Sequence, residues 1–178
     1  MEREKLKIED KTLLKDLSKN TLAKALDLPY KYIEATHINQ KVGAFVTLKE
    51  RGNLRGCIGY IFGIKPLYQE IMDLTIEAAF EDYRFQEVKK EEFNNIEIEI
   101  SILSEPKVID NLSQFQLSRD GIILTRDYHR AVFLPQVADE MGWNREELFS
   151  ALCKKAGLLS NAYKDNDIDY MTFQAEVF

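Results

Sequence analysis

The sequence predicts an α+β fold, a mainly antiparallel sheet with flanking helices, and three observations predict it. Ile96, Ile98, Ile100 and Ile102 alternate with Glu97, Glu99 and Ser101, the period of a strand with one buried and one wetter face. Two segments, 44–60 and 121–134, carry paired apolar runs around turn residues, and each is followed by helical spacing and then a strand. Residues 10–26 and 66–82 place apolar side chains at helical intervals. Hairpin, helix and strand therefore occur twice, which predicts two related halves sharing a sheet.

Taken in order, Leu13, Leu14, Leu17, Thr21, Leu22 and Ala25 mark the first helix, with Asp10 as its N-cap and Pro29 just past its end. A short helix is expected near 30–35. Strands follow at 44–48 and 54–60, joined through 49–53, where Gly52 and Asn53 are turn residues. Pro66 opens the second long helix, which runs to Asp82. The strand at 96–103 comes next, then a hairpin of 121–126 and 131–134 around 127–130. Pro135 starts a helix broken at Gly142. Asn144 and Glu147 form a capping box for another helix, which ends near Gly157. Met171, Phe173, Ala175 and Val177 alternate with polar neighbours and predict a last antiparallel strand at 170–178.

The chain has 178 residues and a formal net charge of −6, with 45% apolar residues. That suits one domain able to bury its own core without metal or disulfide. The acidic balance argues against general nucleic-acid binding, which needs a basic footprint. The opening Met1-Glu2-Arg3-Glu4-Lys5 leads into no apolar run, so no signal peptide and no membrane span are expected, and the expected compartment is the cytoplasm. Cys57 and Cys153 with His37 and His129 give no metal-ligand spacing; neither a metal nor a cofactor is expected. Walker, dinucleotide-binding, zinc-protease and nucleophile-elbow motifs are absent.

The unusual segment is Leu54-Arg55-Gly56-Cys57-Ile58-Gly59. Alternation puts Arg55 and Cys57 on one face. Hydrophobic matching sets Val46 opposite Ile58, Leu48 opposite Gly56, Thr47 opposite Cys57 and Lys49 opposite Arg55. Two cationic neighbours would favour the thiolate. Glu97 and Glu99 could share that face and cancel the effect. Gly56 and Gly59 give up packing in a strand, which is expected where a ligand or partner group comes close, or else where a neighbouring aromatic such as Phe45 or Tyr60 needs the room. Arg55 and Cys57 are then the candidate catalytic residues, at a cleft edge. Against this, a free cysteine commonly fills core space, and no histidine is near in sequence to act as its base. Glu81-Asp82-Tyr83-Arg84-Phe85, at the end of the second long helix, is a further binding candidate. Trp143 and Cys153 read as core.

The hexapeptide resembles the signature of the AMMECR domain family. Further stretches are similar in order: 43–48, Ala78-Ala79, Asp82 with Arg84-Phe85, 96–103, 120–122, 134–138, Gly142-Trp143, Cys153 with 155–157, and 173–178. The family often has proline where this chain has Tyr83 and Glu87. The resemblance covers roughly residues 10–178. It implies a single AMMECR-type domain over 1–178, with a larger lobe holding both termini and a smaller lobe. It also implies an accessory role in a modification pathway, alongside Memo-type or radical-SAM proteins, acting on nucleic acid or another biomolecule. Two expectations follow. One is a non-catalytic binding domain that presents 54–59 and Arg84 to a partner, with Gly56, Gly59, Thr47, Asp82 and Arg84 as binding residues; a protein or RNA would be the partner. The other is an enzyme or enzyme subunit centred on Cys57 and Arg55.

Overall fold

The computed structural model describes residues 6–178, so the polar opening Met1–Lys5 lies outside the described residues. The first helix, α1, spans Ile8–Ala25 and buries Leu14, Leu17 and Leu22. It begins earlier than expected, with Lys7 at the N-cap position, so Asp10 is not the cap. Asp10 instead sits in the first turn, where a carboxylate suits the positive end of the helix dipole, and its Oδ1 lies 2.9 Å from His37 Nε2. Residues 30–35 form no helix. Side chains take the backbone donors there: Lys31 N–H donates to Asn20 Oδ1 and Thr36 N–H to Glu34 Oε1.

Strands β1 (Ala44–Glu50) and β2 (Asn53–Tyr60) form the predicted hairpin. Its turn is tighter than expected: Arg51 and Gly52 both adopt positive φ, 52° and 80°, a two-residue turn whose twist matches the strands. Helix α2 spans Leu67–Phe80 and β3 spans Ile96–Leu103. Ala44, Val46 and Leu48 of β1 and the four alternating isoleucines of β3 are buried in one core with α1 and α2. Between the helices, Ser18 Oγ and Thr75 Oγ1 pair at 2.7 Å, which satisfies two buried hydroxyls.

The remaining elements are β4 (Lys107–Ile109), β5 (Gly121–Arg126), β6 (His129–Phe133), α3 (Val137–Met141), α4 (Arg145–Lys155), β7 (Asp169–Phe173) and β8 (Ala175–Val177). Helix α3 ends at Gly142, φ 64°, and the Asn144–Glu147 capping box opens α4 as expected.

The two halves build two sheets rather than one, and only the last strand of the second half, β8, joins the first. One four-stranded sheet has the order β2-β1-β3-β8 and the other β4-β7-β5-β6. Neighbouring strands in the registered pairs are antiparallel. Two compact units result. The first takes the described residues to Leu103 with Glu176–Phe178, and the second takes Ser104–Ala175. The predicted strand at 170–178 is therefore divided. Gln174 interrupts it, because Ser104 occupies its backbone: Ser104 N–H donates to Gln174 O, and Gln174 N–H donates to Ser104 Oγ. Beyond the break, Phe178 exchanges backbone hydrogen bonds with Ile100. Among the described residues no helix is long and apolar enough to cross a membrane.

Candidate functional site

Strand β2 lies at the edge of the first sheet, so alternate residues turn their backbone groups away from β1. At Cys57 side chains fill both groups. Its N–H donates to Asp82 Oδ2 at 2.9 Å, and Arg84 Nη2 donates to its carbonyl at 3.2 Å. Arg84 also grips Asp82 in two places, Nε to Oδ1 at 2.9 Å and Nη2 to Oδ2 at 2.7 Å. Asp82 and Arg84 thus stand where a neighbouring strand would pair. They arrive there because α2 stops at Phe80 and the chain turns at once, with Phe85 N–H bonded to Asp82 O. Tyr83, between them, points into solvent.

The expected register holds at the centre of the hairpin, with Thr47 opposite Cys57, and Thr47 Oγ1 lies 3.2 Å from Cys57 Sγ. It fails nearer the turn. Leu48 pairs with Gly56 but Lys49 pairs with Leu54, which leaves Arg55 as the extra residue of a bulge. Lys49 therefore does not face Arg55; its Nζ reaches Glu99 Oε2 at 2.8 Å. Arg55 donates to Glu92 twice, at 2.6 and 3.1 Å, and to the carbonyls of Gln86 and Glu87. Its side chain is only 14% exposed. Arg55 is thus a half-buried tie from β2 to the loop between α2 and β3.

The charge around the thiol changes accordingly. Burial pushes the Cys57 thiol up, and it outweighs the Thr47 hydroxyl and the Arg84 guanidinium, which pull the other way; the carboxylates of Asp82 and Glu99 add to the rise. The two expected cations do not create a thiolate. Neither imidazole is among the partners of Cys57: His37 meets Asp10, and His129 Nδ1 donates to Ala156 O. Asp82 moves the other way. The guanidinium of Arg84 holds its carboxyl down at about 2.

The two glycines make room for the protein's own groups, the second of the two expectations. A Cβ on Gly56 would lie 2.0 Å from Ala78 O in α2, and one on Gly59 would lie 2.2 Å from the Phe45 ring. The protein's own helix and aromatic ring fill the space expected for a ligand. The sequence missed Glu92 as part of this arrangement, because it lay in a charge run. Among the described residues no group of three His, Cys, Asp or Glu side chains can hold a metal ion. An open cleft of about 680 Å³ lies elsewhere, in the second unit, lined by Leu112, Leu117, Arg145, Phe149 and Tyr163, and contains none of the predicted site residues.

Comparison with known proteins gives one family. The family model AMMECR1 matches residues 9–178. A protein of Methanothermobacter thermautotrophicus is 41% identical over 145 residues, covering 78% of this chain and 76% of its own. One of Pyrococcus furiosus is 39% identical over 149 residues, covering 78% and 71%. The crystal structure of an uncharacterized protein from Pyrococcus horikoshii superposes with a TM-score of 0.85 at 32% identity, over 97% of this chain and 92% of that one.

Proposed function

The chain belongs to the AMMECR1 family, and from that premise we propose that it is a non-catalytic binding domain that presents Arg84 and the 54–59 strand to a partner protein. The observation that carries this reading is the held guanidinium. Asp82 and the Cys57 carbonyl fix one side of Arg84, while 46% of its side chain stays exposed. A pre-organised arginine gives up little conformational freedom when it meets a carboxylate or carbonyl on a partner. The thiol beneath it, protonated and without an imidazole, serves as packing for the strand.

The reading extends to a cytoplasmic accessory role beside a Memo-type or radical-SAM protein in a modification pathway, with the partner supplying the chemistry. The enzyme reading centred on Cys57 and Arg55 has less support, since Arg55 is committed to Glu92 and two carbonyls.

Calorimetric titration against a Memo-type protein and a radical-SAM protein tests the proposal. Arg84→Ala should weaken binding about tenfold or more, in a variant shown to be folded by its NMR spectrum. Cys57→Ala, which keeps both backbone groups of residue 57, should bind nearly as well as the parent. Failure of the folded parent to bind either protein defeats the reading. Loss of a partner's product on Cys57→Ala, with binding intact, moves the assignment to the enzyme reading.

A further inference from the structure

Glu70, in the first turn of α2, carries a titratable group that plays no part at the β2 edge. The residue is 2% exposed, and both carboxyl oxygens are buried with no hydrogen-bond partner among the described residues. A carboxylate ionised there loses its water and gains no donor in exchange, so the position favours the protonated form.

The sequence explains why no donor is at hand. In a capping box the acid near the helix start accepts from the N–H of the N-cap residue. Here the N-cap is Pro66, which has no N–H. The next two donors are already used, Leu67 N–H by Gln40 O and Tyr68 N–H by Ile38 O. The backbone N–H of Lys65 faces Glu70 and favours its ionised form, but it does not reach hydrogen-bond geometry, and burial outweighs it.

Glu70 also stands where a loop is fastened. The 61–65 loop leaves β2 and returns to α2, and side chains tie both its ends to that helix. Tyr60 Oη donates to Glu77 Oε2 at 2.9 Å, and Lys65 Nζ to Asp73 Oδ2 at 2.5 Å. Glu70 lies on the same side of the helix, one turn before Asp73 and two before Glu77. Asp73 and Glu77 oppose its ionisation, and Lys65, whose ammonium is already on Asp73, supports it; burial is the largest effect and pushes the carboxyl up. The remaining cation on the neighbouring segment, Lys41, is exposed, and it adjoins Val42, whose backbone lies against Gly63 of the loop.

We propose that Glu70 is a proton-operated latch, with the 61–65 loop closed on α2 while the carboxyl is protonated and released from α2 when it ionises. The sign follows from burial. The folded value lies above the unfolded one, so the hold on the loop is complete below the ordinary carboxylate range and is lost as pH rises through the folded value. The latch uses none of the contacts of Arg84 and does not depend on what meets that residue.

The test follows the full chain, labelled with ¹³C and ¹⁵N, by NMR from about pH 4 to about pH 8. The side-chain carboxyl carbon of Glu70 should titrate above those of the exposed glutamates in the same sample, and the amides of 61–65 should shift with the same midpoint. Glu70→Gln, which stays neutral, should abolish that amide transition and hold the low-pH positions throughout. Asp73→Asn and Glu77→Gln should each move the transition toward lower pH without removing it, since both acids oppose ionisation. Titration of Glu70 together with the exposed glutamates overturns the proposal. So do 61–65 amides that ignore its midpoint, and so does an amide transition that survives Glu70→Gln. The first two readings need no variant and decide the matter even where Glu70→Gln fails to fold.

Discussion

Replacing Asp82 by Asn tests the physical account of the β2 edge most directly. The carboxylate is 5% exposed and accepts four hydrogen bonds: from Cys57 N–H, and from the backbone N–H, Nε and Nη2 of Arg84. Its pKa falls from 3.8 to about 2, chiefly because Arg84 donates to it. A drop of nearly two units corresponds to about 2 kcal/mol of stability carried by the ionised form. The folded value lies below the unfolded one, so this stability is complete above the unfolded pKa and is lost as pH falls through the folded pKa. Roughly half of it should be gone near pH 3. Asp82→Asn should therefore unfold about 2 kcal/mol more easily at pH 7, and the gap to the parent should narrow by about half near pH 3. Urea midpoints at the two pH values measure both quantities. A variant within about 0.5 kcal/mol of the parent at pH 7, or a gap that does not narrow, would refute the argument.

Three further outcomes are expected. Arg55→Ala should cost about 2 kcal/mol in thermal or urea unfolding, because it releases the Glu92 carboxylate and two loop carbonyls; an unchanged melting temperature would show that the loop holds itself. Gly56→Ala should destabilise by at least about 1–3 kcal/mol, and by more than Gly59→Ala, since a helix carbonyl yields less readily than a ring; equal or negligible losses would contradict the packing account. Alkylation of Cys57 in native protein should be slow at neutral pH and accelerate only in the alkaline range, because burial raises the thiol; rapid labelling near pH 7 would show an accessible thiolate.

The elements of the fold were legible wherever burial imposes a period. The alternation in β3 and the spacing in α1 and α2 required no tertiary information, and hydrophobic matching placed Thr47 opposite Cys57. The bulge was not legible. It follows from a two-residue turn that places Arg51, a residue with no preference for positive φ, in the left-handed region. From that slip came the wrong neighbours for the thiol. The roles of Gly56 and Arg55 were hidden for another reason. One depends on how closely α2 crosses the strand, and the other on a glutamate inside the charge run Lys89-Lys90-Glu91-Glu92, which by itself reads as a solvated face. The division of the last strand was masked by unbroken alternation, because each sheet demands the same period of its own segment.

That division sets an order of events during synthesis. The first sheet has β1, β2 and β3 in place once Leu103 has been made, yet the free flank of β3 waits for a strand that follows the whole second unit. Ile100 and Phe178, which pair, are separated by 78 positions, or roughly 4–16 s of translation at ordinary elongation rates. Throughout that interval the isoleucine-rich β3 is paired with β1 on one side and has its other edge open. Glu97 and Glu99 on its outward face are the kind of charge that discourages pairing with another copy at an open edge.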